Sequence, residues 1–357
     1  MKIVHITYGF GLGGIETMLR NIANAQAEAG HEIYIVVINR IINKELRESL
    51  SRQIRFYCIG RKPGSKNPWP YVRLNLLLAN IAANVIHLHY SSISRFVWLH
   101  GLKHRLCVTQ HDVCNEQNSH FLYKCRRIYA ISNIVREDIV KWTGLRSEVV
   151  LNGIDVDRIR HAKKEKPDGV FKIVQVSRLA HLKKGQHILI KAVGQLVAQG
   201  FTSLKVDFIG DGESMDFLRD MVTRMELTDY VSFLGARDQS YIYAHLCEYD
   251  LYVQPSIYEG FGLTVTEAMA AKVPVLVSEN QGPLEIIDNG QFGYSFKNKD
   301  ADDCAAKIEL FLKGKNDKTM VEKAYTRVQT LYNVKVTAAT YLHKYKEFID
   351  SGYAQVH

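Results

Sequence analysis

The chain has 357 residues, 46% of them hydrophobic and 23% charged; this is an ordinary globular composition at a length beyond one core, so two domains are expected. No apolar run reaches the ~20 residues of a membrane span, and six cysteines without Cys-x-x-Cys spacing point to free thiols of a cytosolic protein rather than a disulfide framework or a zinc site. The formal charge of +9 is one-sided: residues 1–160 hold 22 Lys and Arg against 12 Asp and Glu, and the remainder holds 24 against 25, so the first half is expected to meet an acidic partner or an anionic surface.

The opening MKIVHITYGFGLGG reads as a short strand entering a glycine loop, not as a signal peptide. A helix follows in IETMLRNIANAQAEAG, where apolar residues form a helical stripe that Gly30 closes. EIYIVVI, IRFYCIG, VIHLHY, RLCVTQHD, RIYAIS and EVVLNGI then read as strands. They are near-continuous apolar runs, as in a parallel sheet covered on both faces. After the polar stretch 157–169 the pattern restarts: FKIVQVSRL, a helix in GQHILIKAVGQLVAQG, LKVDFIGDG, a helix over 213–227, VSFLGA, DLYVQPS and VPVLVS. The expectation is an α/β protein of two Rossmann-like domains, 1–156 and 157–334. A terminal helix within 335–357 is expected to pack back on the first.

Candidate sites lie at strand ends. The loop with Gly13 and Gly14 opens the first helix, whose unpaired N–H groups suit a phosphate. It lacks the acidic ribose ligand of a dinucleotide fingerprint, because Asn39 ends the next strand instead. Arg178, Lys183 and Lys184 follow FKIVQV, where cations suit a diphosphate. His111 ends RLCVTQ, and His89, in IHLHYSS, reads first as a core histidine and less readily as a site residue. Glu259 and Glu267 stand with seven residues between them, around Gly260, Phe261, Gly262 and Leu263. Helix capping is the simplest reason for them. Asp155 and Asp157 mimic a D-x-D metal motif but sit at the domain junction. Arg61, Lys62, Lys66 and Arg73 mix with Trp69 and Tyr71 in 60–73, as at a membrane interface. No motif supports nucleic-acid binding.

The ordered set GLGGIET, LNGID, SRL…KKG, IGDGE, FLGARDQ, PSIYEGFGLTVTEAMAAKVPVL and GPLEII resembles glycosyltransferase family 4, and it spans nearly the whole chain. The resemblance implies the GT-B fold, with two Rossmann-like domains facing across a central cleft. It further implies retaining, metal-independent transfer of a hexose from a nucleoside-diphosphate sugar, with a UDP-sugar expected. The acceptor would be a glycan or polyprenyl-diphosphate-linked hydroxyl in lipopolysaccharide, O-antigen or other surface-polysaccharide synthesis. Such a protein would be cytoplasmic and peripheral at an anionic membrane surface, and would need no cofactor. By the same resemblance, His111, Arg178, Lys184 and Glu259 are the catalytic set. Donor binding would fall to Gly13, Gly14, Arg178, Lys183, Lys184, Glu259, Gly260, Phe261, Gly262, Leu263 and Glu267. Arg178 and Lys184 would clamp the diphosphate, with Lys183 a competitor for the second place. Glu259 would hold sugar hydroxyls and Glu267 the ribose diol, since a carboxylate can accept two hydrogen bonds. A non-catalytic nucleotide-sugar-binding scaffold and a Rossmann oxidoreductase are the rival readings.

Overall fold

The computed structural model describes residues 1–11, 13–161, 169–279 and 282–354. Most of the polar stretch expected as the junction (162–168) and the last three residues of the expected terminal segment lie outside the described residues. Two units form, Met1–Ile154 with Asn333–His357, and Asp155–Tyr332.

The first unit holds seven parallel strands: β1 (Lys2–Thr7), β2 (Glu32–Asn39), β3 (Arg55–Arg61), β4 (Val85–Leu88), β5 (Leu106–Gln110), β6 (Arg127–Ala130) and β7 (Glu148–Val149). Their order is β3-β2-β1-β4-β5-β6-β7. The apolar runs in β2, β4 and β5 are buried along their length because helices cover both faces, as parallel crossovers require. The helix Gly14–Glu28 buries Met18, Leu19, Ile22, Ala23 and Ala27. The helix Val334–Asp350 belongs to the same unit and buries Ala338, Tyr341, Tyr345 and Phe348. Its start is capped by Asn333, and Val334 N donates to Ile154 O at 2.8 Å. Gly153 of the LNGID segment makes this docking possible: a Cβ there would lie 2.7 Å from the backbone of Val334.

The second unit holds six parallel strands: β8 (Phe171–Val176), β9 (Leu204–Ile209), β10 (Val231–Gly235), β11 (Leu251–Gln254), β12 (Val275–Ser278) and β13 (Tyr294–Phe296). Their order is β10-β9-β8-β11-β12-β13. Ile173, Val206, Phe208, Leu251, Val253 and Leu276 form the core with Ile188, Leu189 and Val193 of the helix Gln186–Ala198. β11 stops where Pro255 has no N–H for the ladder. The helix expected over 213–227 is shorter, Met215–Arg224, because the chain turns left-handed at Glu226 (φ 57°). Connections leave in opposite directions between β1 and β4 and between β8 and β11, and open α/β sheets take ligands outside the strand ends at such points.

Candidate active site

β8 runs into Ser177, Arg178 and Leu179 and then a one-turn helix, His181–Lys184. The end of β11 lies beside it, and the two loops touch backbone to backbone. Gly185 (φ +68°) could carry no side chain, since its Cβ would lie 1.8 Å from Pro255 O. The carbonyl of Lys183 accepts from Ile257 N and Tyr258 N at 2.9 and 3.1 Å, and that of Lys184 accepts from Gln175 Nε2 at 3.0 Å. Gln186 Nε2 donates to Ser177 Oγ and to Arg178 O. These bonds fix both lysines relative to the loop after β11.

Both expected clamp cations meet carboxylates. The Lys184 ammonium pairs with Glu259 at 2.5 Å, with the two side chains only 19% and 15% exposed. Arg178 pairs with Glu213 at 2.9 Å in the open. A backbone hydrogen bond first, and the Arg178 guanidinium after it, hold the Glu213 carboxyl below its usual range. Glu213, which the sequence offers only within the IGDGE motif after β9, is brought to Arg178.

Glu259 precedes the turn Gly260–Phe261–Gly262, which leads into the helix Leu263–Ala270. Phe261 is buried and packs edge-on against Tyr332. Gly282 closes over the turn, donating its N–H to Glu259 O at 2.9 Å; a Cβ on it would lie 2.5 Å from Gly260. Capping does not account for Glu267. The cap position belongs to Gly262 (φ +103°), which has no side chain to offer, and Glu267 lies in the second turn of the helix. Its carboxyl is buried, with Gln239 Nε2 donating to Oε1 at 3.4 Å. Burial raises its pKa to about 7, and the Gln239 bond opposes that shift.

In the first unit Gly13 caps the helix Gly14–Glu28, and the Glu16 carboxylate folds back on it, 2.5 Å from where a Gly13 Cβ would stand. Tyr90 Oη donates to Glu16 Oε1 at 3.2 Å, and burial raises the Glu16 pKa. An anionic group thus already occupies this helix start, a feature the acidic residue in GGIE could have signalled. His111 follows β5, with its Nε2 3.0 Å from His89 Nδ1. Burial pushes His111 down to about 3, and Asp112 acts weakly the other way. His89 is buried and links His111 to His5. Among the described residues the one converging group of three possible metal ligands is His5, His87 and His89; Asp155 and Asp157 form no such group.

Two residues expected at an exposed surface in 60–73 are not there. Tyr71 lies on the inner face of the helix Trp69–Ile81, stacked on Phe96 at 3.7 Å between ring centroids. Arg61 donates to Asn39 Oδ1 and Ser65 O and covers the Tyr71 ring. Trp69 remains 68% exposed.

The family model described as Glycosyltransferase Family 4 matches residues 12–158, and that described as Glycosyl transferases group 1 matches residues 156–327. A putative colanic acid biosynthesis glycosyltransferase, WcaL of Salmonella typhimurium, is 29% identical over 183 residues, 50% of this chain and 44% of the relative. The matched segment thus spans less than half of that relative. The crystal structure of Anabaena Alr3699/HepE in complex with UDP and glucose superposes with a TM-score of 0.82 at 18% identity, covering 97% of this chain and all of that one. That of WaaG, a glycosyltransferase involved in lipopolysaccharide biosynthesis, gives 0.74 at 16% identity, covering 94% and 98%. The chain shares their fold.

Proposed function

We propose, for a chain that belongs to the glycosyltransferases built from a Family 4 half and a group 1 half, that it moves a hexose from a nucleoside-diphosphate sugar to a hydroxyl of a surface-polysaccharide precursor, with retention of configuration. The observation that carries this reading is the cluster at the ends of β8 and β11. There a lysine–glutamate pair, a nearby arginine and a glycine turn heading a helix converge on one switch point. UDP and glucose in the Anabaena structure make a UDP-sugar the first donor to test.

In this reading Arg178 and Lys184 bind the diphosphate, with Lys184 favoured over Lys183 because its ammonium reaches Glu259. Glu259 takes sugar hydroxyls and holds the Lys184 ammonium near the leaving group. The Gly260–Leu263 turn gives backbone N–H groups to the distal phosphate, and Glu267 accepts from the ribose diol. Gly13, Gly14 and His111 of the first unit are the further donor contacts of this reading. The acceptor oxygen attacks the anomeric carbon on the face from which the diphosphate departs. The bond from that carbon to the phosphate oxygen breaks, and the departing phosphate takes the acceptor proton. The positive charge of Arg178 and Lys184 beside the leaving diphosphate does the work a metal ion would otherwise do.

The test is a panel of UDP- and GDP-sugars, read first by the rise in unfolding midpoint and then by release of nucleoside diphosphate. One sugar should stand out in both. No shift with any member would overturn the donor site, and tight binding without turnover would favour the scaffold reading.

A further inference from the structure

His5 in β1, His87 and His89 at the end of β4, and Thr109 and His111 at the end of β5 follow the two-residue alternation of strands. His5 and His87 are register partners on neighbouring strands. A metal site is the obvious reading of three buried histidines, whose ligand atoms lie within 4.8 Å. It fails on their hydrogen bonds. His5 Nε2 meets Gln26 Oε1 at 2.8 Å and its Nδ1 meets His89 Nε2 at 3.1 Å. His89 Nδ1 meets His111 Nε2 at 3.0 Å. His87 Nδ1 meets Tyr345 Oη at 2.5 Å and its Nε2 meets Thr109 Oγ1 at 2.7 Å. All six ring nitrogens of the trio are engaged, and no carboxylate is among the partners.

The bonds have a direction. A neutral imidazole has one N–H and one lone pair, so a choice at one ring fixes the next. The start is Gln26, whose Oε1 faces His5. A carbonyl oxygen accepts only, so His5 carries its proton on Nε2 and accepts at Nδ1. His89 must then donate from Nε2 and accept at Nδ1, and His111 must donate from Nε2. We infer that Gln26, His5 and His89 form a buried hydrogen-bond relay that fixes His111 in the Nε2–H form and leaves its Nδ1 as an acceptor. Nδ1 of His111 has no hydrogen-bond partner among the described residues, so it can take a hydroxyl or N–H of a bound ligand. Burial keeps the rings neutral, lowering His5 to about 4 and His89 well below its ordinary value. Neutrality is what the ordering needs, because a doubly protonated ring donates from both nitrogens and breaks the chain.

Gln26, His5 and His89 are positioning residues, three elements removed from any ligand in the case of Gln26. That His111 meets the donor sugar rests on the proposed function; the ordering of the relay does not. The test is nitrogen-15 NMR of the whole chain with labelled histidine. Wild type should show couplings across two N–H···N bonds, His111 Nε2 to His89 Nδ1 and His89 Nε2 to His5 Nδ1, with each proton on Nε2. Protons on Nδ1, or no coupling, would overturn the relay. In Gln26→Met the anchor is gone while the packing volume is kept, and His111 should change from one tautomer to a mixture. An unchanged His111 in a folded variant would also overturn it. If the variant fails to fold, the wild-type couplings decide alone. Donor turnover in Gln26→Met should fall ~3-fold or more with KM little changed, as expected of an interaction made in the transition state. A changed tautomer with unchanged turnover would leave the relay standing and remove His111 from the donor site.

Discussion

At the scale of single residues, Glu267 is the carboxylate whose environment most constrains its role. It is buried, its pKa is raised to about 7, and its near neighbour is an amide rather than a cation. An ionised carboxylate accepts two hydrogen bonds from a diol, whereas the neutral acid must donate one. In the proposed role at the ribose diol, binding requires loss of this proton, and affinity for the nucleotide sugar should rise about tenfold from pH 6 to a plateau near pH 8. Calorimetric titration across that range checks it. Glu267→Gln should bind weakly with no pH dependence, and Glu267→Ala should lose ~10-fold or more, the value of a charge-assisted hydrogen bond. The clamp makes a different prediction. With Arg178 and Lys184 supplying the positive charge, transfer should survive excess EDTA. Activity that EDTA abolishes and Mg²⁺ or Mn²⁺ restores would show that these cations do not suffice.

Elements matter because the site is made of loops pressed together at strand ends. Gly185 sits in left-handed backbone against Pro255 O, and Ala there would force the loops after β8 and β11 apart. Gly185→Ala should cost about 1–3 kcal/mol of stability, read by denaturant unfolding, and weaken donor binding with it. Gly153→Ala offers the contrast: it would clash with Val334 and destabilise the first unit while leaving donor binding in the second intact. The sheets were legible in the sequence because parallel strands buried on both faces must be apolar throughout, as EIYIVVI and VPVLVS are. The glutamate pair and the glycine turn were legible as a motif. Glu16 and Glu213 had only local signals, an acid at a helix start and an acid after IGDG, whereas the ordering of His5, His89 and His111 was not legible, because it depends on which strand lies next to which. Tyr71 misled for a related reason: next to Trp69 and several cations it looks interfacial, yet helical spacing turns it inward with Leu74 and Leu78.

Across the whole chain, charge and pH divide along the two units. In the first, buried neutral histidines gain a proton on unfolding. Their folded pKa values lie below the unfolded 6.5, so their contribution is present above that pH and is lost as pH falls toward 4. For His5 alone the loss is on the order of 3 kcal/mol. Glu267 in the second unit has the opposite sign: its contribution is present below 4.5 and lost as pH rises through 7. Denaturant unfolding followed by probes in each unit at pH 5 and 7.5 should find the first unit weaker at pH 5. The excess positive charge also belongs to the first unit, with 23 basic against 12 acidic residues over 1–154 and 333–357. No helix among the described residues is long and apolar enough to cross a membrane. The exposed Trp69 stands near Lys62 and Lys66 in sequence, and a hollow of about 200 Å³ is lined by Arg95, Trp98, Lys103 and Lys124. Each cation near an anionic bilayer contributes about 1 kcal/mol. Neutralising Lys62, Lys66, Lys103 and Lys124 should therefore reduce binding to anionic vesicles at low salt and slow transfer to a lipid-linked acceptor. Arg61 is a poor choice for this test, since its guanidinium holds the backbone at Ser65. Hydrolysis of the donor should be spared, and wild-type binding should fade as salt screens the attraction. Equal binding to neutral and anionic vesicles, or to neither, would assign the charge to a soluble acidic acceptor instead.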